Sequence, residues 1–238
     1  MDAQGLAAEI DSELRARGTA DRSAHEKAYL KSDLQHYGTR VPDIRAVVTA
    51  VRRRHPDLGH DAVLDLTHTL WEEPVHERRM AVVELLVLYA DALRPDDMAL
   101  LERLLRESRT WALVDGLATA VVGGLVENHQ ELGDVLDRWA TDGDFWIRRS
   151  ALLALLVPLR RGGGDFDRFT RYADAMLDER EFFIRKAIGW VLRDTGRRRP
   201  DLVFRWILPR AARASGVTLR EAVKPLSAEQ RAAVLAAR

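Results

Sequence analysis

The chain has 238 residues, 37 basic against 37 acidic side chains, 47% hydrophobic and 31% charged content, and no cysteine. That is enough length and apolar content for one globular domain with a buried core, and it is not the composition of a disordered chain. Without cysteine there are no disulfides, thiolate metal centres or cysteine nucleophile, and no uninterrupted apolar run reaches the ~18 residues of a membrane span.

In chain order, residues 1–20 open with an acidic amphipathic stretch that lacks the pattern of a signal or transit peptide. We expect an N-terminal helical segment there, within a single domain spanning residues 1–238, and a cytoplasmic protein. Apolar residues then recur at i, i+3, i+4 and i+7 over 81–93, 98–108, 111–129, 146–161 and 183–196, which predicts amphipathic helices. No segment alternates with period two for more than a few residues, so little or no sheet is expected. Pro42, Pro56-Asp57, Pro74, Pro95-Asp96-Asp97, Asp142-Gly143-Asp144, Gly162-Gly163-Gly164 and Pro200-Asp201 punctuate the pattern, several of them offering an acidic residue to a helix start. Helix pairs begin near residues 25, 60, 98, 132, 166 and 201. That spacing suits an all-α HEAT-like array, an α-solenoid with a concave surface lined by second helices; an irregular helical bundle is the alternative.

Arginine heavily outnumbers lysine and clusters at Arg52-Arg53-Arg54, Arg148-Arg149, Arg160-Arg161 and Arg197-Arg198-Arg199. Guanidinium forks suit phosphate, although a high-GC coding bias places arginine on solvated faces just as readily. His76-Glu77-Arg78-Arg79-Met80 begins like a zinc-protease motif but has Met80 where the second histidine belongs. The glycine run 162–164 lacks the Lys-Ser/Thr of a phosphate loop, and Gly123-Gly124, inside a helical pattern, predicts a close helix–helix approach.

Three helices place aromatic, acidic and basic residues on shared faces. Trp111 and Asp115 are four apart, Trp146 and Arg149 three apart, and Lys186, Trp190 and Arg193 fall on one stripe. A carboxylate among aromatic and cationic groups suits a reaction that develops positive charge on a sugar. Equally, a tryptophan at helical spacing suits a core position, and a lone aspartate suits a cap or an ion pair.

The same segments resemble the bacterial AlkD family of alkylpurine DNA glycosylases over roughly residues 25–225. Tyr29-Leu30-Lys31 followed by Gly38-Thr39-Arg40-Val41-Pro42 is similar to the family's Tyr-x-Lys and Gly-x-x-x-Pro stretch. Leu70-Trp71 with Pro74 and Glu77, Trp111 with Asp115, Trp146 with Arg149, and the run Glu181 to Arg193 match further blocks in the same order. The resemblance implies hydrolysis of the N-glycosidic bond of cationic N3- and N7-alkylpurines in double-stranded DNA, without the base flipping usual for such enzymes. It implies Asp115 as catalytic carboxylate flanked by Trp111 and Trp190, with Arg149 on a backbone phosphate and Tyr29 lining the same cleft. Arg40, Arg148, Lys186 and Arg193 complete the expected DNA contacts. A monomer with no cofactor, no metal and no obligate protein partner is expected. Val157 stands where some members carry a lysine, and Arg40 occupies a variable position toward the minor groove; both bear on the lesion accepted. Removal of bulky adducts, as self-resistance to a DNA-alkylating natural product, is a variant of the same reaction. A non-catalytic DNA- or protein-binding scaffold is the alternative that the neutral net charge suits.

Overall fold

The computed structural model describes residues 2–238 and is all-α, with a single isolated parallel bridge, Gln35 to Val75, as its only extended pairing among the described residues. The helices are α1 (Ala3–Arg17), α2 (Ala20–Leu30), α3 (Val41–Arg54), α4 (His60–Glu72), α5 (His76–Leu88), α6 (Met98–Ser108) and α7 (Trp111–Gly116). A π-helical segment, Leu117–Val122, leads to α8 (Gly123–Asn128), α9 (Gly133–Trp139), α10 (Phe145–Ala154), α11 (Leu156–Arg160) and α12 (Phe166–Ala175). The chain closes with α13 (Phe182–Gly196), α14 (Pro200–Ile207), α15 (Gly216–Ala222) and α16 (Ala228–Ala236). No helix is long and apolar enough to cross a membrane among the described residues.

The helix starts follow elementary capping chemistry. Asp2, Asp144, Asp165, Glu181, Ser215 and Ser227 each accept a backbone N–H from the first turn of the helix that follows. Pro42 and Pro200 sit in the first turns of α3 and α14, where a missing N–H costs nothing. Starts expected near 60, 98 and 166 are found at His60, Met98 and Phe166, and those expected near 25, 132 and 201 at Ala20, Gly133 and Pro200.

The chain forms two compact units, the first comprising residues up to Leu101 with Glu107–Leu117, the second Glu102–Arg106 with Ala118–Arg238. In the first, α1 buries Leu6, Ile10 and Leu14 and packs on α3, α4 and α5. In the second, Trp139, Phe169, Ile147 and Ile188 are fully buried, and α13 packs against α10, α11, α14 and α15.

Three local expectations are corrected. The predicted helix 146–161 breaks at Leu155 into α10 and α11, because Pro158 has no N–H to give and its ring opposes the carbonyl of Ala154. The stretch 81–93 belongs to α5 only as far as Leu88; Tyr89 leaves the helix with its hydroxyl on the His55 carbonyl at 2.7 Å and Arg52 over its ring. Of the glycine pair, only Gly123 serves close approach. A Cβ there would lie 2.7 Å from the Ala154 carbonyl oxygen, whereas one on Gly124 would meet nothing within 4 Å.

Candidate active site

In the first unit, α7 is placed by its contact with α5. A Cβ on Gly116 would stand 2.7 Å from Val83 Cγ1, so the glycine lets the helices touch. Leu113 and Val114 then point into the core, while Trp111 and Asp115, one turn apart, are half-buried on the other face. Tyr29, near the C-terminal end of α2, is 66% exposed and presents its ring edge-on to Trp111, with centroids 6.1 Å apart at 86°. The structure therefore brings together three of the sequence-predicted residues: Tyr29, Trp111 and Asp115. Directly after α7 the backbone widens into the π-helical segment, an irregularity frequent at functional sites.

The loop before α3 is held by a buried anion. Glu77, with no solvent exposure, accepts the backbone N–H groups of Tyr37 at 2.9 Å, Gly38 at 2.6 Å and Thr39 at 3.2 Å. Gly38 has φ +83° and passes so close to Thr19 that no side chain fits. Arg40 emerges from this loop, exposed, with its guanidinium on Asp43 at 2.7 Å. Lys27 and Lys31, on either side of Tyr29, are exposed and make no ion pair among the described residues. The expected contacts do not include them, although Lys31 closes the Tyr-x-Lys stretch that begins at Tyr29.

In the second unit, Lys186, Trp190 and Arg193 share one side of α13, as their spacing predicts. Lys186 Nζ and Arg193 Nη1 both donate to Glu221, at 2.9 and 2.5 Å, and Trp190 Nε1 donates to Asp194 at 3.1 Å. A Cβ on Gly189 would lie 2.9 Å from Glu221 Cβ, and this closeness of α13 to α15 puts the acid within reach of both cations. Burial pushes the Glu221 carboxyl up, but hydrogen bonds from Lys186, Lys224 and Arg193 prevail and hold it down at about 2.

Arg149 is 2% exposed, lies beside the Phe183 ring and donates to the Phe183 carbonyl. Arg148 spends its donors on Glu179, at 2.9 and 2.8 Å, and on the carbonyls of Asp142 and Gly143. It braces the Asp142–Asp144 turn rather than offering an open fork. Trp146 is buried among Phe145 and Phe183, and Val157 is half-buried on α11. Trp71 is a structural tryptophan, its Nε1 on Glu107 at 2.7 Å and Arg79 over its ring.

Comparison with known proteins shows a family and a shared fold. The family described as DNA alkylation repair enzyme matches residues 10–226. A solved structure described as a predicted DNA alkylation repair enzyme from Enterococcus faecalis superposes with a TM-score of 0.80 at 19% identity, covering 89% of this chain and 98% of that one, a likeness of fold. No curated protein matches. With a family match that spans all but the two ends of the sequence, this chain belongs to the DNA alkylation repair enzyme family.

Proposed function

We propose that the protein is a DNA glycosylase that hydrolyses the N-glycosidic bond of cationic N3- and N7-alkylated purines in duplex DNA, without base flipping. The observation that carries this reading is the half-buried Asp115 one helical turn from Trp111, whose ring meets exposed Tyr29, in a DNA alkylation repair enzyme.

An alkylated purine already carries the positive charge that its departure neutralises, so strong acid catalysis is unnecessary. As the C1′–N bond breaks, its electron pair passes into the purine ring and positive charge grows on the sugar. Asp115 stabilises that charge and orients a water, whose oxygen bonds to C1′ while its proton passes to the carboxylate and on to solvent. Trp111 and Trp190 are assigned to the lesion-bearing deoxyribose, their electron-rich faces favouring a cationic partner. Tyr29 and the cations Arg40, Lys186 and Arg193 are assigned to the backbone, and buried Arg149 acts through the Phe183 carbonyl it holds. Lys27 and Lys31 join them, and Arg148 acts through the turn it braces. The enzyme works on alkylated double-stranded DNA as a cytoplasmic monomer, without cofactor or obligate protein partner.

The test is to incubate duplexes carrying N7-methylguanine or N3-methyladenine with the protein and identify released material by mass spectrometry. Free alkylated base with an abasic site in the strand supports the reading; tight binding with no base released supports the scaffold alternative. Release from bulky N3 or N7 adducts in preference to methylated bases would point to self-resistance as the setting of the reaction.

A further inference from the structure

One side-chain cluster lies apart from these assignments. Glu26, His36 and His76 each offer a ligand atom, all within 4.8 Å of one another, on elements of the first unit. The bridge between Gln35 and Val75 sets this up. Gln35 N–H donates to the Pro74 carbonyl and His76 N–H to the Gln35 carbonyl, both at 2.9 Å, so the next residue of each partner, His36 and His76, stands side by side. Their rings stack with centroids 4.6 Å apart and planes 11° from parallel. Ser23 on α2 fixes the segment further through its hydroxyl on the His36 carbonyl at 2.8 Å.

These groups are buried without partners. His36 and His76 are 7% and 3% exposed, and both ring nitrogens of His36, Nδ1 of His76 and Oε2 of Glu26 have no hydrogen-bond partner. Native proteins rarely leave so many buried polar atoms unsatisfied in one place, and a bound ion is one of the few things that satisfies them together. The other Glu26 oxygen accepts from Arg22 at 3.4 Å, which leaves Oε2 for a ligand.

We propose that Glu26, His36 and His76 bind a divalent transition-metal ion of the zinc type, with water completing the coordination. Two imidazoles and a carboxylate are a zinc donor set, and Zn–N and Zn–O bonds of about 2.0–2.2 Å place neighbouring ligand atoms roughly 3.4 Å apart. The cluster reaches that spacing by closing up to about 1.4 Å from its 4.8 Å limit, with the two rings turning out of their stack. The ion has a structural role in this fold. No residue of α2 is buried, so a ligand on that helix ties it to α5 through His76, and Tyr29 lies less than one turn beyond Glu26. Metal occupancy thereby positions Tyr29.

The test uses the full chain stripped with a chelator and titrated with Zn2+ by calorimetry, with Co2+ as a visible-absorption probe. Glu26→Gln, on a helix with no buried residue, leaves the fold intact by circular dichroism and is paired with His36→Gln. The expected result is one Zn2+ per chain, at least tenfold weaker in each variant, with amide exchange in α2 slowed by Zn2+ in the wild type alone. Absence of stoichiometric uptake, meaning that only water fills the cluster, overturns the proposal. So does Zn2+ binding that neither substitution weakens.

Discussion

Replacing Glu77 by alanine tests the logic of the first unit most sharply. The carboxylate has no solvent exposure and collects three backbone N–H groups from the loop Tyr37–Thr39. Tyr37 is half-buried, so water can replace the lost acceptor there, but Gly38 and Thr39 are buried and their donors are stranded. Two stranded donors at about 1–3 kcal/mol each give a loss of about 2–6 kcal/mol, centred near 4. Gly38 and Thr39 both donate to Oε1, so Glu77→Gln with its amide oxygen there keeps both bonds, turns its N–H2 toward Tyr37 alone and recovers more than half of the loss. Urea unfolding followed by far-UV circular dichroism measures this. Because the chain forms two compact units, the data are fitted with separate transitions, and the one belonging to the first unit should move. Tyr37→Phe is the control: it removes a single hydrogen bond, from the Tyr37 hydroxyl to Asp11 at 2.7 Å, and should cost about 1 kcal/mol. A loss below about 1 kcal/mol for Glu77→Ala would refute the view that this buried anion organises the loop from which Arg40 emerges.

Further predictions concern the second unit. Burial alone would raise the Glu102 carboxyl, but hydrogen bonds from Arg138, Arg106 and Trp139 bring it to about 2; the Arg106 bond does the same for Asp142, and three cations for Glu221. All three folded values lie below the unfolded ones of 4.5 and 3.8, so the stability they contribute is complete above about pH 4.5. It is lost as pH falls toward 2, and thermal melts across that range should show a steep decline that Glu102→Gln makes shallower. The glycine pair predicts opposite signs. Gly123→Ala drives a Cβ onto the Ala154 carbonyl and should destabilise by about 1–3 kcal/mol, whereas Gly124→Ala meets open space and should stabilise by about 0.5–1 kcal/mol, both read from melting curves.

Much of this architecture is legible in the sequence because helix starts are written locally. Asp144, Pro200 and the Pro95–Asp97 turn act within a few residues of where they stand, and the stripe Lys186, Trp190, Arg193 needs only a period of 3.6 to be found. The break at Leu155 was present as Pro158 but hidden by an uninterrupted apolar pattern. Less visible is whatever depends on partners far apart in the chain. Glu77 caps a loop some 40 residues earlier, and the Gln35–Val75 bridge pairs single residues without a strand pattern on either side. The histidines His36 and His76 look scattered in sequence and become a stacked pair only through that bridge. For the candidate site, spacing alone joins Trp111 to Asp115, whereas the arrival of Tyr29 from α2 is a tertiary fact. Arginine is the least readable element. Arg148 and Arg149 look like a phosphate-binding pair, yet the first is spent on Glu179 and loop carbonyls and the second is buried against Phe183.

The central claim is that Asp115 supports departure of a cationic purine from duplex DNA. Its most direct test is single-turnover release of N7-methylguanine from a defined duplex by the wild-type chain and by Asp115→Asn, with free base quantified by mass spectrometry. Free base and an abasic site are expected from the wild type, with release slower by on the order of 100-fold or more in the variant. Release by Asp115→Asn at the wild-type rate, or no free base from the wild type, would contradict it.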